Sequence, residues 1–127
     1  MKQPKFKPVK EDKNLFISYD VLLSDEFLSL NGTEKNIYII FLYKRQFSKK
    51  RSGKNRSLKN NGDIQFSENE AIKKWNIPSR TFKRAIAKLI AIKMIAVSHK
   101  SYGFNHDVNL YELLGKFDGV VRTKMRR

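Results

Sequence analysis

Pro78 is the residue that most restricts what this chain can fold into, because it stands between two segments that each read as a helix. On its N-terminal side, Ser67-Glu68-Asn69-Glu70 has the spacing of a capping box, and Ala71, Ile72 and Trp75 supply apolar packing for a short helix. Asn76-Ile77-Pro78 breaks that helix, since proline biases the preceding residue away from helical geometry. On the other side, Ser79 is positioned to cap a second helix from Arg80 to about Ile92. Phe82, Ile86 and Leu89 recur at helical spacing, flanked by Ala85 and Ile90, and form an inward face. Arg80, Lys83, Arg84, Ala87 and Lys88 fall on the opposite side.

The flanking segments read as strands. Asp63-Ile64-Gln65-Phe66 is a short strand entering the first of these helices. Residues 93–100 follow the second helix as a strand, 101–106 turn, and 107–113 return. Val108 and Leu110 share one face of the returning strand, Asn109 and Tyr111 the other. Gly103 permits the bend, and the tip carries Lys100, Tyr102, Asn105 and His106. With one more helix upstream, the expected fold class is α+β: a winged helix-turn-helix with three main helices and a C-terminal β-hairpin wing, over residues 15–114.

The upstream chain is less sharply patterned. Residues 1–14 are expected to be a flexible basic arm, with Pro4 and Pro8. Residues 15–23 suit a short strand or an extended tether. Ser24 can cap a brief helical turn with Asp25 and Glu26 at its positive end, held down by Phe27, Leu28 and Leu30 and ended by Asn31-Gly32. Thr33 can cap a helix over 34–46; its apolar run Ile37–Tyr43 also suits a buried strand, but the polar lead-in favours a helix. From Lys44 to Lys59 there are eight cations and no acid, with glycines and asparagines around them, so 44–62 is expected to be a basic loop. Residues 115–127 read as a basic C-terminal tail, with Asp118 its sole acid.

A formal net charge of +15, from 27 Lys and Arg against 12 Asp and Glu, attracts polyanions. Cysteine is absent, so disulfides and thiolate chemistry are excluded. The N-terminus lacks the apolar core of a secretory signal, and no apolar run is long enough to span a bilayer, so no membrane contact and a cytoplasmic location are expected. Only His99 and His106 offer imidazoles, the acids are scattered and no glycine-rich phosphate loop occurs. No enzymatic activity, cofactor or metal is expected.

The candidate DNA contacts follow from the helix-turn-helix reading, in which the second helix enters the major groove. Arg80, Lys83 and Arg84 lead, since Arg and Lys contact guanine edges and phosphates. Ser79, Thr81 and Lys88 join them on the same helix; Lys49, Lys50, Arg51, Lys54 and Arg56 come from the loop, and Lys100 and Tyr102 from the wing.

The stretch Phe66–Ala71 followed by Trp75–Leu89, with Met94–Lys100, Asn109-Leu110-Tyr111 and the earlier Leu30–Tyr38, resembles the winged-helix domain of plasmid and phage replication initiators and replisome organisers. The resemblance implies sequence-specific double-stranded DNA binding at an origin, with replication proteins as further partners. The basic 44–59 insertion departs from it. Three other readings stay open: a transcriptional regulator with the same fold, RNA binding through the basic loop and tails, and a protein-interaction or assembly module. A homodimer is also compatible, with Leu22, Leu23, Phe27 or the C-terminal segment as interface.

Overall fold

The computed structural model describes Leu15, residues 17–46, Leu58, and residues 60–102 and 108–120. These residues form a small α+β domain with several helices and a three-stranded antiparallel sheet. Helices α1 (Tyr19–Leu22), α2 (Asp25–Leu28) and α3 (Gly32–Tyr43) come first, then strand β1 (Ile64–Gln65), helices α4 (Glu68–Trp75) and α5 (Ser79–Ala91), and strands β2 (Ile95–His99) and β3 (Leu110–Leu113). A 3-10 turn, Gly115–Asp118, closes the described chain.

Helix α3 is the centre of the domain. Ile37, Tyr38, Ile40, Phe41 and Leu42 are all buried, which is why its apolar arc is too broad for a surface helix. The helix reading of 34–46 holds against the strand reading, but the ends move. The cap is Asn31, not Thr33: Asn31 Oδ1 accepts from Glu34 N at 2.9 Å, and Glu34 Oε1 accepts from Asn31 N at 2.8 Å. Asn31-Gly32 therefore starts this helix instead of ending the turn before it. Phe41 packs edge-on against Phe66 and Tyr111, and Phe66 against Phe82, so one aromatic chain links α3, the sheet and α5.

The extended segment expected over 15–23 is instead partly helical. Ser18 caps α1 through its hydroxyl, and Val21 is buried. Ser24 caps α2 as expected and Phe27 joins the core, but Leu28 is 58% exposed and pins nothing.

Strand β3 is central, in the order β1-β3-β2. Ile64 pairs with Tyr111 on one side, and Ile95, Ala96 and Val97 pair with Leu113, Glu112 and Tyr111 on the other. An irregularity between Val97 and His99 shifts the register. The returning strand is shorter than the expected 107–113, and its buried residues are Tyr111 and Leu113. Residues 103–107, which include the wing tip, lie outside the described residues.

The packed unit continues past residue 114. Phe117 and Asp118 are buried. Tyr38 Oη donates to the Phe117 carbonyl at 2.7 Å. Arg45, expected to be one of the loop cations, is 6% exposed. It donates through Nε to Leu42 O at 2.7 Å and through Nη1 to Asp118 O at 3.2 Å and Gly119 O at 2.9 Å. Burial lowers the Arg45 pKa and raises that of Tyr38, as desolvation of a charged form requires. Lys44 is also built into the fold: its Nζ bonds both Glu70 carboxylate oxygens, at 2.6 and 2.8 Å, and lies 5.1 Å from the Phe66 ring centroid. Beyond these two cations the chain returns at Asn60, which ties to Gln46 N and Lys44 O.

Candidate nucleic-acid interface

The Ser67 hydroxyl accepts from Glu70 N and so caps α4. The reciprocal half of the expected capping box is replaced, because the Glu70 carboxylate takes Lys44 Nζ and Trp75 Nε1. Those bonds fix α4 to the end of α3. Ala71 is fully buried, Trp75 is half-buried against Tyr43, and Ile72, expected to pack inward, is exposed.

Asn76 ends α4 in the left-handed conformation, at φ 57°, a geometry asparagine tolerates better than most residues. Ile77 N then bonds back to Ala71 O at 2.9 Å, closing the helix end, and Ile77 is buried. Pro78 is the N-cap residue of α5, extended at φ −62° and ψ 150°. Ser79 is thereby moved from the expected capping role to the first helical position. Its hydroxyl donates to the Glu68 carboxylate at the start of α4.

Helix α5 is strongly two-sided. Phe82, Ala85, Ile86 and Leu89 are buried, whereas Ile90, assigned to the inward flank by sequence, is exposed. Arg80, Lys83, Arg84 and Ala87 are exposed, Thr81 and Lys88 half-buried. At 3.6 residues per turn, Ala87 lies at the middle of the outer face, one turn from Lys83 and Arg84 and two from Arg80. These cations lie on the N-terminal side of Ala87 and the exposed Ile90 and Ala91 on its C-terminal side, and the small Ala87 side chain lets the helix axis come close to a polyanion. Lys83 Nζ is 3.9 Å from Glu68 Oε1 in a solvated pair, which stabilises by roughly 0.5 kcal/mol or less and yields readily to phosphate.

A cleft of about 540 Å³ runs along this flank of α5, between Lys83, Ala87 and Ile90 on one side and Ser101, Val108 and Asn109 on the other. The β2–β3 hairpin thus lies beside the helix that carries the cations. Asn109 Oδ1 accepts from Ser101 N at 2.7 Å and holds the two hairpin legs together. Lys100 and Tyr102 are exposed here, and Tyr102 stacks edge-on with His99. The structure therefore brings together Ser79, Arg80, Thr81, Lys83, Arg84 and Lys88 on one helix, with Lys100 and Tyr102 on the neighbouring hairpin. Lys49, Lys50, Arg51, Lys54 and Arg56 lie outside the described residues. The point where that segment rejoins the fold is near Asn61, which bonds Leu113, at the opposite end of β3 from the hairpin tip.

Glu68 is the site residue that sequence reasoning missed. Its position at the start of a helix explains an acid, but nothing local places it against Ser79 and Lys83. Among the described residues no group of three His, Cys, Asp or Glu side chains converges to hold a metal. No described helix is long and apolar enough to cross a membrane. No protein-family model, curated protein or solved structure matches the chain.

Proposed function

We propose that this protein binds double-stranded DNA in a sequence-specific manner as a winged helix-turn-helix domain, with α4 and α5 as the helix pair and the β2–β3 hairpin as the wing. The observation that carries the reading is the outer face of α5, where Arg80, Lys83 and Arg84 line the first two turns together while the opposite face is locked into the core. A major groove admits a helix of this kind, and arginine reads guanine edges through paired hydrogen bonds. In this reading the hairpin, with Lys100 and Tyr102 exposed, meets backbone beside that groove. Initiation of plasmid or phage replication is the role we propose for this binding, with replication proteins as further partners.

The test is selection from a random duplex library at physiological salt, repeated with Arg80→Ala/Lys83→Ala/Arg84→Ala. An enriched motif that disappears in the variant is expected. Each lost bidentate base contact should cost about 1–3 kcal/mol at its own base pair. Tandem copies of the motif support an initiator, and an inverted repeat supports a dimeric regulator. A folded protein that enriches no motif, or a variant that keeps the same motif and affinity, overturns the reading.

A further inference from the structure

The first part of the packed unit has the opposite charge to the rest of the chain. Between Lys13 and Lys35 there is no lysine or arginine, while Asp20, Asp25, Glu26 and Glu34 are all acidic, in a chain of net charge +15. The same stretch leaves apolar surface open. Tyr19 is 73% exposed and Leu23 55%, and with Leu22 they occupy one side of α1 at spacings of three and four. The exposed Leu28 adds to them from α2.

A surface of complementary character exists elsewhere on the molecule. On α4, Ile72 is 43% exposed and is followed by the exposed Lys73 and Lys74. The two surfaces lie on different sides of α3. Phe27 of α2 and Phe117 both pack on Tyr38, at 6.1 and 6.5 Å between ring centroids, whereas Trp75 of α4 packs on Tyr43 at 6.0 Å. Five residues of helix separate those tyrosines, a rotation of roughly 140° about the α3 axis.

We propose that copies of this chain pack head to tail, with the acidic, apolar α1–α2 surface of one seated on the Ile72–Lys73–Lys74 surface of the next. Pairing two α1–α2 surfaces face to face would oppose their carboxylates, which disfavours a two-fold dimer through this patch. Opposite placement of two unlike, complementary surfaces instead gives a heterologous contact that repeats into an open row. The net charge of the whole chain opposes association at long range, and at physiological ionic strength that repulsion is screened beyond about 8 Å, while groups in contact still pair.

Sedimentation velocity of the full chain, without nucleic acid and at physiological salt, tests this independently of DNA binding. Two charge reversals are compared: Asp20→Lys/Asp25→Lys on one surface and Lys73→Glu/Lys74→Glu on the other. The wild type should form species larger than dimers as concentration rises. Each variant alone should associate at least about tenfold more weakly, a change of about 1.4 kcal/mol. An equimolar mixture of the two should regain the longer species, because the native contact and the charge-swapped contact can alternate along the row. All four substitutions in one chain should restore the longer species. Because Asp25 also supports the start of α2, Leu23→Gln/Leu28→Gln provides an uncharged control that should weaken association with the fold retained. A wild type that stays monomeric overturns the proposal. So does association that survives Lys73→Glu/Lys74→Glu, or a mixture of folded variants that does not pair.

Discussion

Replacing Arg45 with methionine should destabilise the protein by about 3 kcal/mol while leaving the proposed DNA binding, per folded molecule, within about twofold. The guanidinium makes three hydrogen bonds to carbonyls, those of Leu42, Asp118 and Gly119. A bond from a charged donor contributes about 1.5–3 kcal/mol, so the gross loss is well above the net figure. Burial of the charge offsets part of it, and the same burial is the first cause of the lowered Arg45 pKa. Methionine keeps the packing volume of the stem but leaves the carbonyls of residues 118 and 119 short of a donor. Arg45→Lys should recover only part of the loss, since one ammonium cannot span the fork. Gly119→Ala attacks the same joint from the other side. Gly119 has φ +71°, and a Cβ there would lie 2.6 Å from Arg45 Nη1 and 3.0 Å from Leu42 Cδ2. Urea unfolding followed by Trp75 fluorescence gives the stability, and hydrogen exchange at the Phe117 amide reports the joint locally. Arg45→Met that costs less than about 0.5 kcal/mol, with Phe117 as protected as in the wild type, would refute the argument.

Tyr38→Phe should cost about 1 kcal/mol near neutral pH, from loss of the 2.7 Å bond to the Phe117 carbonyl. Burial raises the Tyr38 pKa above the ordinary tyrosine value of about 10, against the opposing pull of Arg45. Its contribution is therefore fully present below pH 10 and lost as pH rises further, by up to about 1.4 kcal/mol per unit. The stability gap between wild type and Tyr38→Phe should close as pH rises from about 10 to 11, and a gap that stays constant in urea titrations contradicts this. At the junction between α4 and α5, Asn76→Ala should cost about 1 kcal/mol because alanine resists the left-handed conformation, whereas Asn76→Gly should be near neutral. Equal melting of the two variants would show that φ 57° carries no strain there.

The pair α4 and α5 was legible because its signals are local. Ser67 precedes a helix, Pro78 ends the turn, and Phe82, Ile86 and Leu89 repeat on one face. The strand pairing followed from the same pattern, with ends displaced where the register shifts near Ser98. Misreadings arose where two residues compete for one job. Thr33 and Asn31 both suit a cap, and the spacing of Asn31 to Glu34 decides for Asn31 through two reciprocal bonds. Ser79 and Pro78 compete likewise, and proline takes the cap because its fixed φ already suits the helix entry. Helix α1 was hidden because four residues, two of them β-branched or aromatic, carry little helical signal. Of the candidate site, the cations of α5 were readable from its two-sidedness. Glu68 was not, since its partner Ser79 is eleven residues away across a turn.

The run of cations from Lys44 onward shows why charge alone is a poor guide to an interface. Lys44 and Arg45 begin that run in sequence, yet neither is available to a ligand without cost to the fold. Lys44 holds Glu70, which also takes Trp75 Nε1, and so sets where α4 begins relative to α3. Arg45 holds the chain after the sheet against the same helix end. Helix α5 packs on both α3 and α4, so its orientation depends on that joint. Buried and half-buried cations thus fix the framework, and the exposed Arg80, Lys83 and Arg84 take their positions from it. A substitution at Lys44 should change how α5 is presented, one at Arg45 should act on stability, and one in the exposed group should change only what α5 can touch. Comparing stability with salt dependence separates the two groups, since a lost phosphate contact lowers the slope of log K against log salt by about 0.9 and a shifted helix need not.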